Sequence, residues 1–476
     1  MARQKLLVLE FNELCPTLLD RWMAEGHLPN FKRLHDASEV FVTVADAEPP
    51  ALEPWIQWYS MHTGLSYDQH GVFRLTDGPK AGHPDIWGVL RDAGLRTANV
   101  CSMNAKGFAV PGNLFVPDPW CTSESAYPAE LNTFHGFVSS MVQEYSNRDN
   151  ALDFGVVSNF LWYLATHGLR PGTIRDILSV LFDEKVRDPS LNWRRAVVLD
   201  WMQRDVFLHY FRRYQPDFTT FFLNSTAHLQ HTYWRHMDPD AFEVQPTPED
   251  VRKYGNAILF GYRNMDRVVG EFLALERRGV TLAFTTALSQ QPFLKCEGIG
   301  GQHFYRPKDA DALLRTLTID ASTVQPTMTH QYMLRFDTEE KAAAAEVILD
   351  SVRCDGRRAI DFERRDDGAL YFGCMVRSVV SDDATLEWVV GNHADTMRFL
   401  DAFYMIDEIK SGMHHPDGCF WLKTGNHVVH KRRVSVLDVF PTVLDFFAVD
   451  YQPSDAHPFG GRSLLSDKAR DAVLVA

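Results

Sequence analysis

Short, solid apolar runs alternate along the chain with longer segments of helical spacing. Leu6-Leu-Val-Leu-Glu-Phe-Asn-Glu13 is apolar until it stops on Glu10, Asn12 and Glu13. A buried parallel strand has this form when it delivers polar groups to the carboxyl edge of a sheet. Residues 16–36 read as a helix with Leu18, Leu19, Trp22 and Met23 on one face, and Gly26 and Pro29 punctuate its end. Val40–Val44 reads as a second strand. The pair Pro49-Pro50 forces an extended loop, and the aromatic stretch that follows turns at Pro54 into a helix ending at Gly64. Ile86–Gly94 predicts another helix, and Thr97–Cys101 a strand carrying Ser102, Met103 and Asn104 at its end. This alternation predicts a doubly wound, mainly parallel α/β core over residues 1–125.

Between 126 and 215 the alternation stops. Patterns such as Thr173–Phe182 and Trp193–Tyr214 predict a helical insertion. The core resumes over 216–310, with strands Phe218–Leu223 and Val280–Thr285 and a helix from Pro248 to Arg278 between them. Residues 311–385 read as a small α+β insertion: a strand Gln331–Phe336, a helix Glu339–Val352, then strands Ala359–Arg364 and Ala369–Met375. The core is expected to return near His393 and to occupy 386–476.

Composition narrows the function classes. The 476 residues carry a formal charge of −14, which speaks against a nucleic-acid backbone as partner because no basic stripe is present to displace counterions. Arg212-Arg213 and Lys431–Arg433 read as solvated faces. Seven cysteines without a Cys-x-x-Cys pair read as reduced thiols. No apolar stretch approaches the length of a membrane span, and the first strand begins at once, without a leader. Together these predict a cytoplasmic protein with neither a nucleic-acid nor a membrane partner. They leave the oligomeric state open.

Four blocks carry a resemblance. They are the first strand with Leu28-Pro-Asn-Phe31, Thr63-Gly64 and His70-Gly-Val-Phe73; Gln230-His231 through Pro239; His414-His-Pro-Asp-Gly418; and Asp438–Asp445 with Gly461–Leu465. In this order they resemble the alkaline phosphatase superfamily, in its branch of phosphodiesterases and nucleotide pyrophosphatases. The resemblance implies a metal-dependent hydrolase of phosphate or sulfate esters in which two ions are held by Asp and His and a hydroxyl attacks. Several implied positions are substituted. The first metal-binding Asp falls at Asn12 and the nucleophile at Pro54, beside Glu53. Asp-x-x-x-His becomes Ala227 to His231, and Asp-His-Gly gives way to the segment Thr286–Gln291. His231 and His414 match ligands that share one ion.

The expectation is therefore a reduced site with one divalent ion, zinc by its histidines, held by His231, His414 and a third group. His228, Glu53 and Glu13 all compete for that third place, His228 being the one carried with the two histidines. Glu53, Asn12 and Glu13 are the candidate catalytic groups, with Glu53 as general base in place of the nucleophile. Gln290, His303 and His415 are candidates for substrate contact. Plainer readings stand beside these: His228 and His231 as a polar helix face, Asn12 as a helix cap, Gln290 and His303 as loop structure. The expected function is hydrolysis or transfer of a phosphate or sulfate ester on a small molecule. The alternatives are an inactive binding or scaffold protein and altered chemistry on the same fold.

Overall fold

The computed structural model describes residues 4–143, 154–327, 330–365, 367–406 and 409–465. Residues 144–153 of the expected helical insertion lie outside this set. Strand β1 (Lys5–Phe11) runs inside an eight-stranded sheet. It pairs in parallel with Phe218–Leu223 on one side and Val280–Thr286 on the other. Leu6, Leu7, Val8, Leu9 and Phe11 are all buried, because helices cover both faces of this strand and leave no position for a polar alternation.

The helix expected over 16–36 is two helices, α1 (Pro16–Ala24) and α2 (Pro29–His35). Gly26, at φ 78°, turns the chain, and Pro29 starts the second helix where its missing N–H is harmless. The apolar face is the expected one: Leu18, Leu19, Trp22 and Met23 are buried. β2 (Ser38–Val44) follows, then α3 (Pro54–Thr63), closed by Gly64 in the left-handed conformation at φ 69°. β3 (Thr97–Val100) and β4 (Leu114–Val116) extend the sheet beyond β5 (Phe218–Leu223), and β6 (Val280–Thr286) lies on the other side of β1. Asp417–Lys423 is inserted antiparallel between β6 and β2, and Val428–Ser435 pairs in parallel with β2.

Two boundaries differ from expectation. The helix Val198–Tyr214 ends the helical region but belongs to the cover of the sheet, since Phe207 packs on Phe221 of β5 at 4.8 Å and on Phe272 at 5.5 Å. The helix expected from Pro248 to Arg278 is divided into Pro248–Tyr254, Ala257–Leu273 and a final 3-10 turn. The small α+β region also reaches past 385. Thr385–Val390 pairs with His393–Arg398 and with Arg353–Cys354, and a separate apolar cluster runs from Tyr305 to Phe403. His393 therefore lies in a small sheet, and the chain rejoins the main sheet only at Asp417. Among the described residues no helix is long and apolar enough to cross a membrane.

Candidate metal centre

The carboxyl edge of the sheet gathers the chemistry. β1 ends at Phe11, and Glu13 two residues on adopts φ 61°, a left-handed conformation that non-glycine residues adopt uncommonly. His231 sits on the helix Ser225–Met237 that follows β5. His414 lies in the strand Gly412–His415, which pairs antiparallel with Ser289–Pro292 so that His414 faces Gln290 and His415 faces Ser289. The helix and the ribbon touch through Gly412: a Cβ there would stand 2.4 Å from Gln290 Oε1 and 2.6 Å from the Gln230 carbonyl, so no larger residue fits.

The result is one convergent group. Glu13 Oε2 lies 3.1 Å from His231 Nε2 and 3.5 Å from His414 Nε2, and ligand atoms of all three lie within 4.8 Å of one another. Each imidazole is held at its other nitrogen, His231 Nδ1 donating to the Gly412 carbonyl (3.1 Å) and His414 Nδ1 to that of Leu52 (2.8 Å). Both Nε2 atoms are thereby the ones turned to the carboxylate. This donation to a backbone carbonyl is the usual way a metal-ligating histidine is oriented. A His, His, carboxylate set is one that holds catalytic zinc, so the donor chemistry fits a divalent ion.

Glu13 is supported from behind. Asn12 Nδ2 donates to its Oε1 (2.8 Å), and Gln290 Nε2 to its Oε2 (2.6 Å). Gln230 Nε2 donates to its carbonyl and is itself fixed by the Tyr262 hydroxyl. Burial acts to raise the Glu13 pKa, but the charges of His414 and His231, with hydrogen bonds from His231 and Gln290, bring it down to about 2. Burial also acts on the histidines in opposite balance. The Glu13 carboxylate outweighs it at His231, whose pKa is raised, whereas at His414 burial wins and the pKa falls to about 4.

Glu53 stands at the edge of this group, its Oε2 3.5 Å from His414 Nδ1. Burial and the Glu13 charge lift its carboxyl to about 7, against the pull of Lys410 and His231. Lys410 is half-buried and meets no carboxylate within ion-pair distance among the described residues, yet its charge reaches Glu53 and Glu13. Sequence reasoning passed over it. The available signal was a lone lysine four positions before His414, in a segment that had to return to the sheet edge.

Other expected site residues are placed differently. His228 is exposed on its helix and outside the three-residue group, so Glu13, not His228, stands with the two histidines where an ion could be held. Asn12 is committed to protein partners: its amide donates to Glu13 and to Asn224 Oδ1 (2.8 Å), and its Oδ1 accepts from the Trp58 indole (2.8 Å). Gln290 is 1% exposed and holds Glu13 and the Ala227 carbonyl, a supporting position with no surface for a substrate. His415 Nδ1 accepts from the Asp417 backbone, and the His303 backbone donates to the Arg377 carbonyl. Neither belongs to the group around Glu13. Glu10 lies deeper, bonded to His62 (2.8 Å) and Ser102 (2.6 Å). Residue 54, where the resemblance puts the nucleophile, opens α3 as a proline.

The eight-stranded, mainly parallel sheet with its covering helices is an α/β fold. The model of the type I phosphodiesterase / nucleotide pyrophosphatase family matches residues 6–288, and the chain belongs to that family of phosphoester hydrolases. Among solved structures it is similar to phosphonoacetate hydrolase from Sinorhizobium meliloti 1021 in complex with phosphonoacetate, at 16% identity and a TM-score of 0.44 over 94% of this chain and 95% of that one. Murine ectonucleotide pyrophosphatase / phosphodiesterase 5 is similar at 11% identity and a TM-score of 0.38, over 95% and 97% of the two chains. None of the curated proteins compared with the chain matches it.

Proposed function

We propose that this protein hydrolyses or transfers a phosphate or sulfate ester of a small molecule at a single-ion centre held by Glu13, His231 and His414. The observation that carries this reading is the pinning of both Nδ1 atoms on backbone carbonyls, which leaves two Nε2 atoms aimed at one carboxylate oxygen. A divalent ion bound there, zinc by the donor set, supplies Lewis-acid polarisation of a phosphoryl or sulfuryl oxygen. Glu53, whose carboxyl titrates near neutrality beside the group, is the general base that takes the proton from the attacking water or alcohol. Asn12 and Gln290 hold Glu13 in place. Lys410, whose charge acts on both carboxylates, offsets the charge of an anionic ester.

The test compares zinc-loaded and chelator-treated protein on aryl phosphate monoesters, diesters and sulfates. Turnover should require the metal and should fall at least a hundredfold in Glu53→Gln and in His231→Ala. Turnover indifferent to chelation and to both substitutions would refute the site. A zinc-loaded protein that binds these esters without turning any over would instead favour the inactive binding protein.

A further inference from the structure

The helix Phe154–Thr166, FGVVSNFLWYLAT, contains no charged residue. One face packs inward: Phe160 stacks on Phe137 at 3.7 Å, the Tyr163 hydroxyl meets that of Tyr210 at 3.2 Å, and Leu164 is buried. The other face carries Ser158, Asn159 and Thr166 but no charge, and on it Val156 is 49%, Leu161 55% and Trp162 71% exposed. The next helix, Pro171–Phe182, repeats the arrangement. Thr173 and Val180 are buried while Ile174, Leu178, Leu181 and Phe182 are exposed, and Val186 follows in the turn Asp183–Arg187. Both helices rest on Val198–Tyr214, through Tyr210 and through Arg204, which donates to Thr173. A helix at a water-facing surface normally carries charge outward, and large apolar side chains exposed together mark a surface that something covers.

The charges of this region say by what. Arg175, Lys185 and Arg187 have side chains 80%, 72% and 69% exposed. The acids between them, Asp176, Asp183 and Glu184, are only 21%, 16% and 7% exposed, and each is shared by two cations, Asp176 by Arg175 and Arg267, Asp183 by Arg187 and Arg194, and Glu184 by Lys185 and Arg195, so positive charge remains in excess. In a chain of net charge −14, this surface presents apolar side chains interleaved with outward cations. We propose that it docks on the surface of a bilayer containing anionic lipids. Leu161, Trp162, Leu178 and Phe182 enter the headgroup boundary, and Arg175, Lys185 and Arg187 meet the lipid phosphates. The attachment lies in the interface plane. A second copy fits less well, because a two-fold contact through this face sets the three cations against their own counterparts.

Flotation of the purified protein with phosphatidylcholine vesicles, and with vesicles in which about a third of the lipid is phosphatidylglycerol, tests this. The protein should float with the anionic vesicles and fall away from them in high salt. Trp162→Glu with Leu178→Glu should reduce partition at least tenfold while circular dichroism stays unchanged. Lys185→Ser with Arg187→Ser should reduce it about fivefold per cation on anionic vesicles only. Failure to associate with anionic vesicles, or equal association of the Trp162/Leu178 variant, overturns the proposal. A concentration-dependent dimer in sedimentation that the same variant abolishes overturns it in favour of a second copy.

Discussion

Replacing Glu13 by glutamine tests the centre most directly, because the change removes the charge and one of the two acceptor oxygens at nearly constant volume. The carboxylate is 2% exposed and takes hydrogen bonds from Asn12 at 2.8 Å and Gln290 at 2.6 Å, with His231 Nε2 at 3.1 Å and His414 Nε2 at 3.5 Å. Breaking a buried charge pair by neutralising one partner costs about 3 to 5 kcal/mol. The His231 side chain is 33% exposed, so water recovers part of that and the lower figure, about 3 kcal/mol, applies to the chelated protein. Metal affinity should suffer more. Loss of a group that merely supports a ligand costs about 10- to 100-fold, and loss of a ligand should exceed that range, or more than about 2.7 kcal/mol of binding. Urea unfolding in chelator at neutral pH reads the first quantity, and zinc titration against a competing chelator reads the second. A Glu13→Gln protein that unfolds within about 0.5 kcal/mol of the parent and binds zinc within about threefold of it would refute the ligand assignment.

Elemental analysis should find about one transition metal per chain; two equivalents would mean that the positions at Asn12 and Pro54 still hold an ion. No covalent phospho- or sulfo-enzyme should be trapped, since Ser60 Oγ is bonded to His70 at 2.9 Å and Thr63 Oγ1 donates to the Tyr59 carbonyl at 2.8 Å, both buried; a labelled adduct on either would overturn the nucleophile-free reading. Lys410→Met should raise KM for an anionic ester about tenfold and change kcat little, and an equal loss confined to kcat would place the lysine at the reacting atoms instead. Asp200 is 3% exposed, and burial lifts its pKa to about 7 from 3.8 although Ser225, Arg204 and Asn264 pull it down. A raised folded-state value means that its contribution is full below pH 3.8 and is lost as pH climbs through 7, on the order of 4 kcal/mol in all. Asp200→Asn should flatten the fall in unfolding free energy between pH 5 and pH 8, and an unchanged slope there would show that Asp200 is ionised throughout.

The central fold was legible because its strands are continuous apolar runs. Phe218–Leu223 was read to the residue, and β1 and β6 within one or two. Segmentation failed where local punctuation does not fix the break. Gly26 was legible as a stop, but α2, which starts at Pro29 and buries only Phe31 and Leu34, is too short to declare its own period. The reach of the small α+β region was hidden for another reason. His393–Arg398 is largely exposed in an edge strand, so it lacks the apolar signature that assigns a strand to one sheet or another. Within the site, His231 and His414 were legible from their motifs, 183 positions apart in sequence (414 minus 231). Gln230 and Tyr262 were not, since a buried amide and a buried phenol that support a carboxylate look in sequence like any other core positions. Lys410 offered only its position four residues before His414, and the return of the chain at Ser411 to the His231 carbonyl, at 3.0 Å, is what brings it to the centre.

On the single-ion reading proposed above, an exchange of ligands accounts for a centre that persists although the resemblance implies several substituted positions. Where the family pattern places an Asp four residues before His231, this chain has Ala227, and a centre of two histidines alone would lack an anion. Glu13 supplies it from a different element. Its left-handed backbone at φ 61° turns the side chain from the end of β1 toward the helix and the ribbon that carry the histidines. Gln290 spans both positions, one Nε2 donating to Glu13 Oε2 at 2.6 Å and to the Ala227 carbonyl at 3.0 Å. The same glutamine comes from Thr286–Gln291, the segment that the resemblance sets against Asp-His-Gly, and on that reading it positions the carboxylate of the remaining centre. Asn12 completes this change, because its amide is engaged by Trp58, Asn224 and Glu13 together. Its Nδ2 commits both hydrogens, and its Oδ1 commits one of its two lone pairs, to protein partners. Asn12 and Gln290 together build the pocket that fixes Glu13.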